Sequence, residues 1–124
     1  MDRYIMVMLG GAAGSLARYV LSTAIMTRLG PVFPWGTFTI NVSGSFLIGL
    51  LMTLLTERLQ ADPNWRLILV VGFLGGYTTF SSFEWETFSL AGGGSRLLAL
   101  FNIAGSVIFG YVAVWLGAAL AAKR

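Results

Sequence analysis

Histidine and cysteine are both missing from this 124-residue chain. Their absence excludes disulfide frameworks, thiolate nucleophiles, histidine bases and the usual transition-metal sites. Charge is scarce as well, since Asp, Glu, Lys and Arg together make up 10% of the residues, whereas soluble domains carry roughly a quarter. The net charge of +3 contains no basic run of the kind that binds nucleic acid, so no nucleic-acid partner is expected. What the chain has in excess is apolar surface. Hydrophobic residues are 56% of the sequence and the mean hydropathy is +0.80, which assigns the chain to the all-α integral membrane class before any motif is considered.

The few charges divide the sequence. None occurs from Leu29 to Thr56, from Leu67 to Phe83 or from Leu97 to Ala122, and Arg18 alone interrupts the stretch from Tyr4 to Thr27. A bilayer core takes about 20 residues of helix. Four transmembrane helices are therefore predicted near 4–27, 36–57, 67–90 and 96–121, forming a single transmembrane domain over 1–124. The connectors agree: Gly30-Pro31-Val32-Phe33-Pro34, the segment Arg58 to Asn64 with Pro63, and Gly92-Gly93-Gly94-Ser95 all break helices. Trp35, Trp65, Trp85 and Trp115 fall near the predicted ends, where interfacial belts stand. The first span does not read as a secretory signal, being too long, interrupted by Arg18 and followed by more spans.

Orientation follows from lysine and arginine. Arg3, Arg58, Arg66, Lys123 and Arg124 fall on the side of both termini, against Arg28 and Arg96 on the other, a modest bias towards cytoplasmic termini. Four helices make a thin bundle, and polar side chains lie deep in every span, so an oligomer is expected. Gly10 with Gly14, Gly11 with Ser15, Ser45 with Gly49, and Ser106 with Gly110 each repeat four apart and offer close helix packing, within one chain or between copies.

The third span contains Gly75-Gly76-Tyr77-Thr78-Thr79-Phe80-Ser81-Ser82-Phe83. Adjacent glycines followed by threonines and serines weaken a helix at membrane depth, where irregular backbone persists only if buried in protein or lining a cavity. A helix broken near mid-membrane is predicted, exposing carbonyls and helix ends as channels and transporters do; a straight helix with hydroxyls bonded to their own carbonyls is the alternative. Phe80 and Phe83 share a face, and ring edges carry positive potential that stabilises an anion without trapping it. As plain packing or lipid-facing residues they would do nothing of the kind.

Asn41 and Asn102 lie deep in spans two and four. Each either clamps neighbouring helices or offers its amide N–H groups to a permeant species. Ser106 extends a polar face from Asn102, and Thr37 and Thr39 add hydroxyls to the second span. Arg18 stands roughly 20 Å along the first helix from Tyr4. There it must snorkel, pair with Glu84 or Glu86, or face a watery vestibule into which it draws anions. With no histidine and no nucleophile constellation, no enzyme is predicted.

These residues resemble a known family. Gly36-Thr37 with Asn41, Gly44, Phe46 and Gly49, then Gly72-Phe73-Leu74-Gly75-Gly76-Tyr77-Thr78-Thr79-Phe80-Ser81-Ser82-Phe83 with Glu86, look like the Fluc (CrcB) fluoride channels of bacteria, over essentially the whole chain. The resemblance implies an antiparallel, inverted homodimer of dual topology in the cell inner (plasma) membrane, through which cytoplasmic fluoride leaves passively. It implies a fluoride pore lined by Phe80, Phe83 and Asn41, with Thr79, Ser81, Ser82 and Ser106 as a polar track and Arg18 in the vestibule. It also implies a structural sodium ion (Na+) at the centre of the dimer, held by backbone carbonyls of Gly75 and Thr78 from both subunits. Two positions depart from the family pattern: residue 102 is asparagine where some members have tyrosine, and residue 84 is glutamate where some have serine. Two other classes were weighed. A small proton-coupled multidrug exporter needs a membrane carboxylate, usually in the first span, which has none; a non-transporting assembly subunit would carry no flux alone.

Overall fold

The computed structural model describes residues 2–122, and Lys123 and Arg124, counted above for orientation, lie outside them. Helix α1 (Arg3–Leu29) begins where the Asp2 carboxylate accepts from the Tyr4 N–H at 2.7 Å and ends at Gly30, whose φ of 82° reverses the chain. After the Pro31 and Pro34 turn, α2 (Trp35–Thr53) runs on as wider, π-helical turns over Leu54–Arg58. The third span opens with the short α3 (Pro63–Arg66), capped by Asp62 and started by Pro63 at its first turn. It continues as a π-helical segment, Leu67–Leu74, and the brief α4 (Gly75–Tyr77). Thr78 (φ −87°, ψ 157°) and Thr79 (φ −149°, ψ 122°) are extended, and α5 (Phe80–Gly92) resumes with Thr79 as its cap. A tight loop through Gly94 at φ 90° leads to α6 (Arg96–Ala122).

Among the described residues, four helical stretches are long and apolar enough to cross a membrane: Arg3–Leu29, Trp35–Arg58, Pro63–Gly92 and Arg96–Ala122. They match the four predicted spans with slightly wider ends. The third begins four residues before Leu67 because Asp62 and Pro63 form a helix start that a search for uncharged runs passes over. Much of the outer surface is large and apolar, including Tyr4, Met8, Leu97, Val107 and Tyr111. Exposed apolar surface on that scale belongs against lipid or protein.

Packing is set by glycine. α1 lies along the π-helical segment, and a Cβ on Gly14 would collide with the Phe73 carbonyl, while one on Gly10 would meet the Ile68 carbonyl. α2 and α6 approach as closely: Gly49 rests on the Val114 carbonyl and Gly117 on that of Phe46. All four small-residue pairs picked out by their spacing thus meet neighbours in the same chain, Gly11 and Ser15 lying against Gly72 and Gly76, so that helices approach closely without a hydrophobic driving force between them. Near the first loop, Phe33, Phe38 and Phe101 form an aromatic cluster with Phe33 and Phe101 centroids 5.3 Å apart, joining α2 to α6. The innermost apolar contacts are Ile40, Leu74 and Tyr77, backed by Ala17, Leu47, Leu51 and Phe73, directly behind the extended pair.

Candidate ion-conduction site

Two extended residues change the hydrogen bonding of everything around them. In an unbroken helix the Thr79 N–H would bond the Gly75 carbonyl and the Ser82 N–H that of Thr78. Here Thr79 N–H donates to Asn41 Oδ1 at 2.9 Å, and Ser82 N–H donates to Thr79 Oγ1 at 3.3 Å. The carbonyls of Gly75 and Thr78 are thereby released from their helical donors. At the same point α5 starts, so its first N–H groups and the positive end of its dipole face the interruption. A carbonyl-rich end suited to a cation and an amide-rich end suited to an anion stand two residues apart.

The second helix holds this geometry at two levels. Asn41 takes the Thr79 N–H on Oδ1 and donates Nδ2 to the Thr79 carbonyl at 2.9 Å, a two-way clamp on a single residue. One Nδ2 hydrogen remains for anything else. Two residues earlier in the third span, the buried Tyr77 shares a 2.9 Å hydroxyl contact with Ser43, which also donates to the Ile40 carbonyl. Thr78 Oγ1 donates back to the Leu74 carbonyl at 2.9 Å.

Thr79 separates two recesses. The first is an apolar groove of ≈ 470 Å³ whose walls include Asn41, Gly75, Thr78, Phe80, Phe83 and Ser106. Its two aromatic rings differ: Phe83 is 7% exposed and packed, Phe80 is 75% exposed, and their centroids lie 5.9 Å apart. The second, of ≈ 330 Å³, is polar, with Ser15, Arg18, Ser22, Thr37, Ser82 and Glu86 in its walls. Arg18 pairs there with a backbone oxygen, its Nε donating to the Gly76 carbonyl at 3.0 Å. Glu86 accepts from Thr37 Oγ1 at 2.8 Å on one oxygen, while its other oxygen is buried without a hydrogen-bond partner.

The residues singled out in the sequence therefore divide. Phe80, Phe83, Asn41, Thr79 and Ser106 share the apolar groove, together with Gly75 and Thr78. Ser82 joins Arg18 in the polar recess, and Ser81 is exposed and lines neither. Sequence reasoning missed the Tyr77 and Ser43 pair and the acceptance of Arg18 by Gly76. The first had no signal beyond a tyrosine hydroxyl that must find a partner once buried.

Sodium can be tested against this geometry. No group of three or more acidic, histidine or cysteine side chains is assembled among the described residues, so a cation would depend on neutral oxygens. The released carbonyls of Gly75 and Thr78 are donors of that kind, and hard cations take oxygen ligands. The residues fit the ion.

Comparison with known proteins bears on the whole chain. The family model described as CrcB-like protein, Camphor Resistance (CrcB), matches residues 5–118. A protein of Solibacter usitatus named fluoride-specific ion channel FluC is 62% identical over 121 residues, covering 98% of this chain and 99% of its own length. Proteins of the same name from Acidobacterium capsulatum and Magnetococcus marinus are 50% and 49% identical, covering 93% and 90% of this chain and 92% and 90% of their own. With a family match from residue 5 to residue 118 and relatives this similar along nearly their full length, the chain belongs to the CrcB family.

Proposed function

We propose that this protein is a fluoride-selective anion channel that lets cytoplasmic fluoride leave the cell passively, working as an antiparallel homodimer in the inner (plasma) membrane. The observation that carries this reading is the interruption at Thr78 and Thr79, which frees two carbonyls and starts a helix at residues that line the same groove as Phe80, Phe83 and Asn41. It lies near the middle of the third span, at the membrane centre. The relatives' shared name supports fluoride as the ion.

A single copy leaves this groove open, with Phe80 facing outward. A second, inverted copy would close it and place two sets of Gly75 and Thr78 carbonyls around one sodium ion, which would supply a fixed positive charge between the subunits. Fluoride would then pass along ring edges and amide or hydroxyl donors: Phe80, Phe83, the free Asn41 N–H, Ser106 and the Thr79 and Ser82 region. Arg18 gathers anions in the polar recess. A small, strongly hydrated anion gives up water only where donors replace it closely, and chloride would fit poorly in a narrow path lined by amides, hydroxyls and ring edges. The driving force needs no coupled ion, since a potential negative inside supplies about 2.3 kcal/mol per 100 mV, a concentration ratio of roughly fifty. Nothing in α1 offers the carboxylate that a proton-coupled exporter requires.

The test is a fluoride-electrode efflux assay on liposomes containing the purified protein, with chloride efflux measured alongside. Rapid fluoride release with chloride retained, and its loss in Phe80→Ile, is the expected result. Equal release of the two anions overturns the reading.

A further inference from the structure

Asn102 lines neither recess, yet it is 1% exposed, one of the two large side chains buried below 2%. A side-chain amide that deep in an apolar bundle is costly unless its hydrogen bonds are made. They are made in a directed series. Ser106 Oγ donates to Asn102 Oδ1 across 3.5 Å, Asn102 Nδ2 donates to Thr87 Oγ1 at 2.9 Å, and Thr87 Oγ1 donates to the Phe83 carbonyl at 2.8 Å. Both ends of the series, Ser106 and Phe83, stand in the wall of the apolar groove. Its middle, the buried Asn102 and the half-buried Thr87, lines neither recess.

The order of donors matters. Thr87 alone, bonding back to a carbonyl four residues earlier, would loosen the first turns of α5. Asn102 from α6 fills the acceptor side of the same hydroxyl and so fixes its rotation, pinning the turn from Phe83 to Thr87 against α6. Phe83 is the ring held by packing, whereas Phe80 on the adjoining turn is open. The Ser106 link is the long one, so its hydroxyl is the member free to turn towards a passing anion while the inner two bonds stay in place.

We propose that Asn102 is a positioning residue for selectivity: acting through Thr87, it sets the depth at which Phe83 enters the groove and so the width of the anion path. The inference rests on the channel reading above. Its test compares Asn102→Leu, Thr87→Val, Thr87→Ser and the Asn102→Leu/Thr87→Val pair in liposome efflux of fluoride and chloride, with elution of the purified protein as the check on folding.

The expected result is that Asn102→Leu and Thr87→Val each lower the fluoride-to-chloride efflux ratio at least fivefold at unchanged elution. The double variant falls no further than the worse single one, because both cut one series. Thr87→Ser, which keeps the hydroxyl, stays within twofold of the parent. Should Asn102→Leu fail to fold, the Thr87 variants decide the matter alone. A parental ratio in Thr87→Val, or a double variant showing the product of the single effects, overturns the inference while leaving the channel reading intact. A parent protein that releases no fluoride overturns both.

Discussion

Against α1, the third span packs backbone on backbone, with Gly10 and Gly14 pressed onto the Ile68 and Phe73 carbonyls. Against α2 and α6, the same span is held by side-chain hydrogen bonds: Asn41 to Thr79, Ser43 to Tyr77, Thr37 to Glu86 and Asn102 to Thr87. The first contact is tight at its glycines and carries a single side-chain hydrogen bond among the described residues, from Arg18 Nε to the Gly76 carbonyl. The second borders both recesses and supplies Asn41, Thr37 and Ser106 to them, while Ser15, Arg18 and Ser22 of α1 complete the polar one. One face fixes where the span lies and the other fixes what its interruption presents. Bulk added at the glycine contacts should therefore cost the folded protein, and changes among the hydrogen-bonding side chains should cost transport while the fold survives.

The largest effect is expected from Gly14→Leu. No rotamer clears the Phe73 carbonyl, and forcing bulk into a packed contact costs about 1–3 kcal/mol or more, so almost no protein should elute as a discrete species from detergent. Recovery of a normal elution peak would break the comparison at its stronger end. Asn41→Leu comes next. Membrane hydrogen bonds are worth about 0.6 kcal/mol each on average, so losing two should leave elution unchanged while fluoride efflux falls at least a hundredfold, because Thr79 returns its N–H to Gly75 and the interruption anneals.

That prediction also marks how much was legible beforehand. The four spans could be read from charge spacing because lipid tolerates so few charges that the pattern has little freedom. The weak helix at Gly75 to Thr79 could be read from composition. The partner of Asn41 could not, since a lone amide in an apolar run says only that some partner exists, and the choice of Thr79 is made by the α2 packing that brings the two together. Arg18 shows the same limit: a carboxylate was a reasonable partner by charge, but the carbonyl of Gly76 is the one within reach of its Nε. Asn102 reads from sequence as either clamp or donor, and the bond it makes is to Thr87 on the facing helix, a partner that spacing along the chain could not name.

Smaller effects sharpen the contrast. Replacing sodium by a large organic cation should lower the thermal midpoint of the purified protein by several degrees in the parent. The shift should vanish in Asn41→Leu, whose Gly75 carbonyl is no longer released; an equal shift in both would separate sodium from the interruption. Arg18→Gln should leave folding intact, because Gln can still donate to the Gly76 carbonyl, and should slow fluoride efflux a few fold. The slowing should shrink as ionic strength rises and screens the lost charge, an effect read from efflux rates in low and high impermeant salt.

The most direct measurement of the central claim is paired fluoride and chloride efflux from liposomes holding either the parent or Asn41→Leu at equal protein content, with the elution of the purified protein checked for both. The parent is predicted to empty its fluoride and keep its chloride, and the variant to keep both. Fluoride release by Asn41→Leu at the parental rate, or chloride release by the parent as fast as fluoride, would contradict the account.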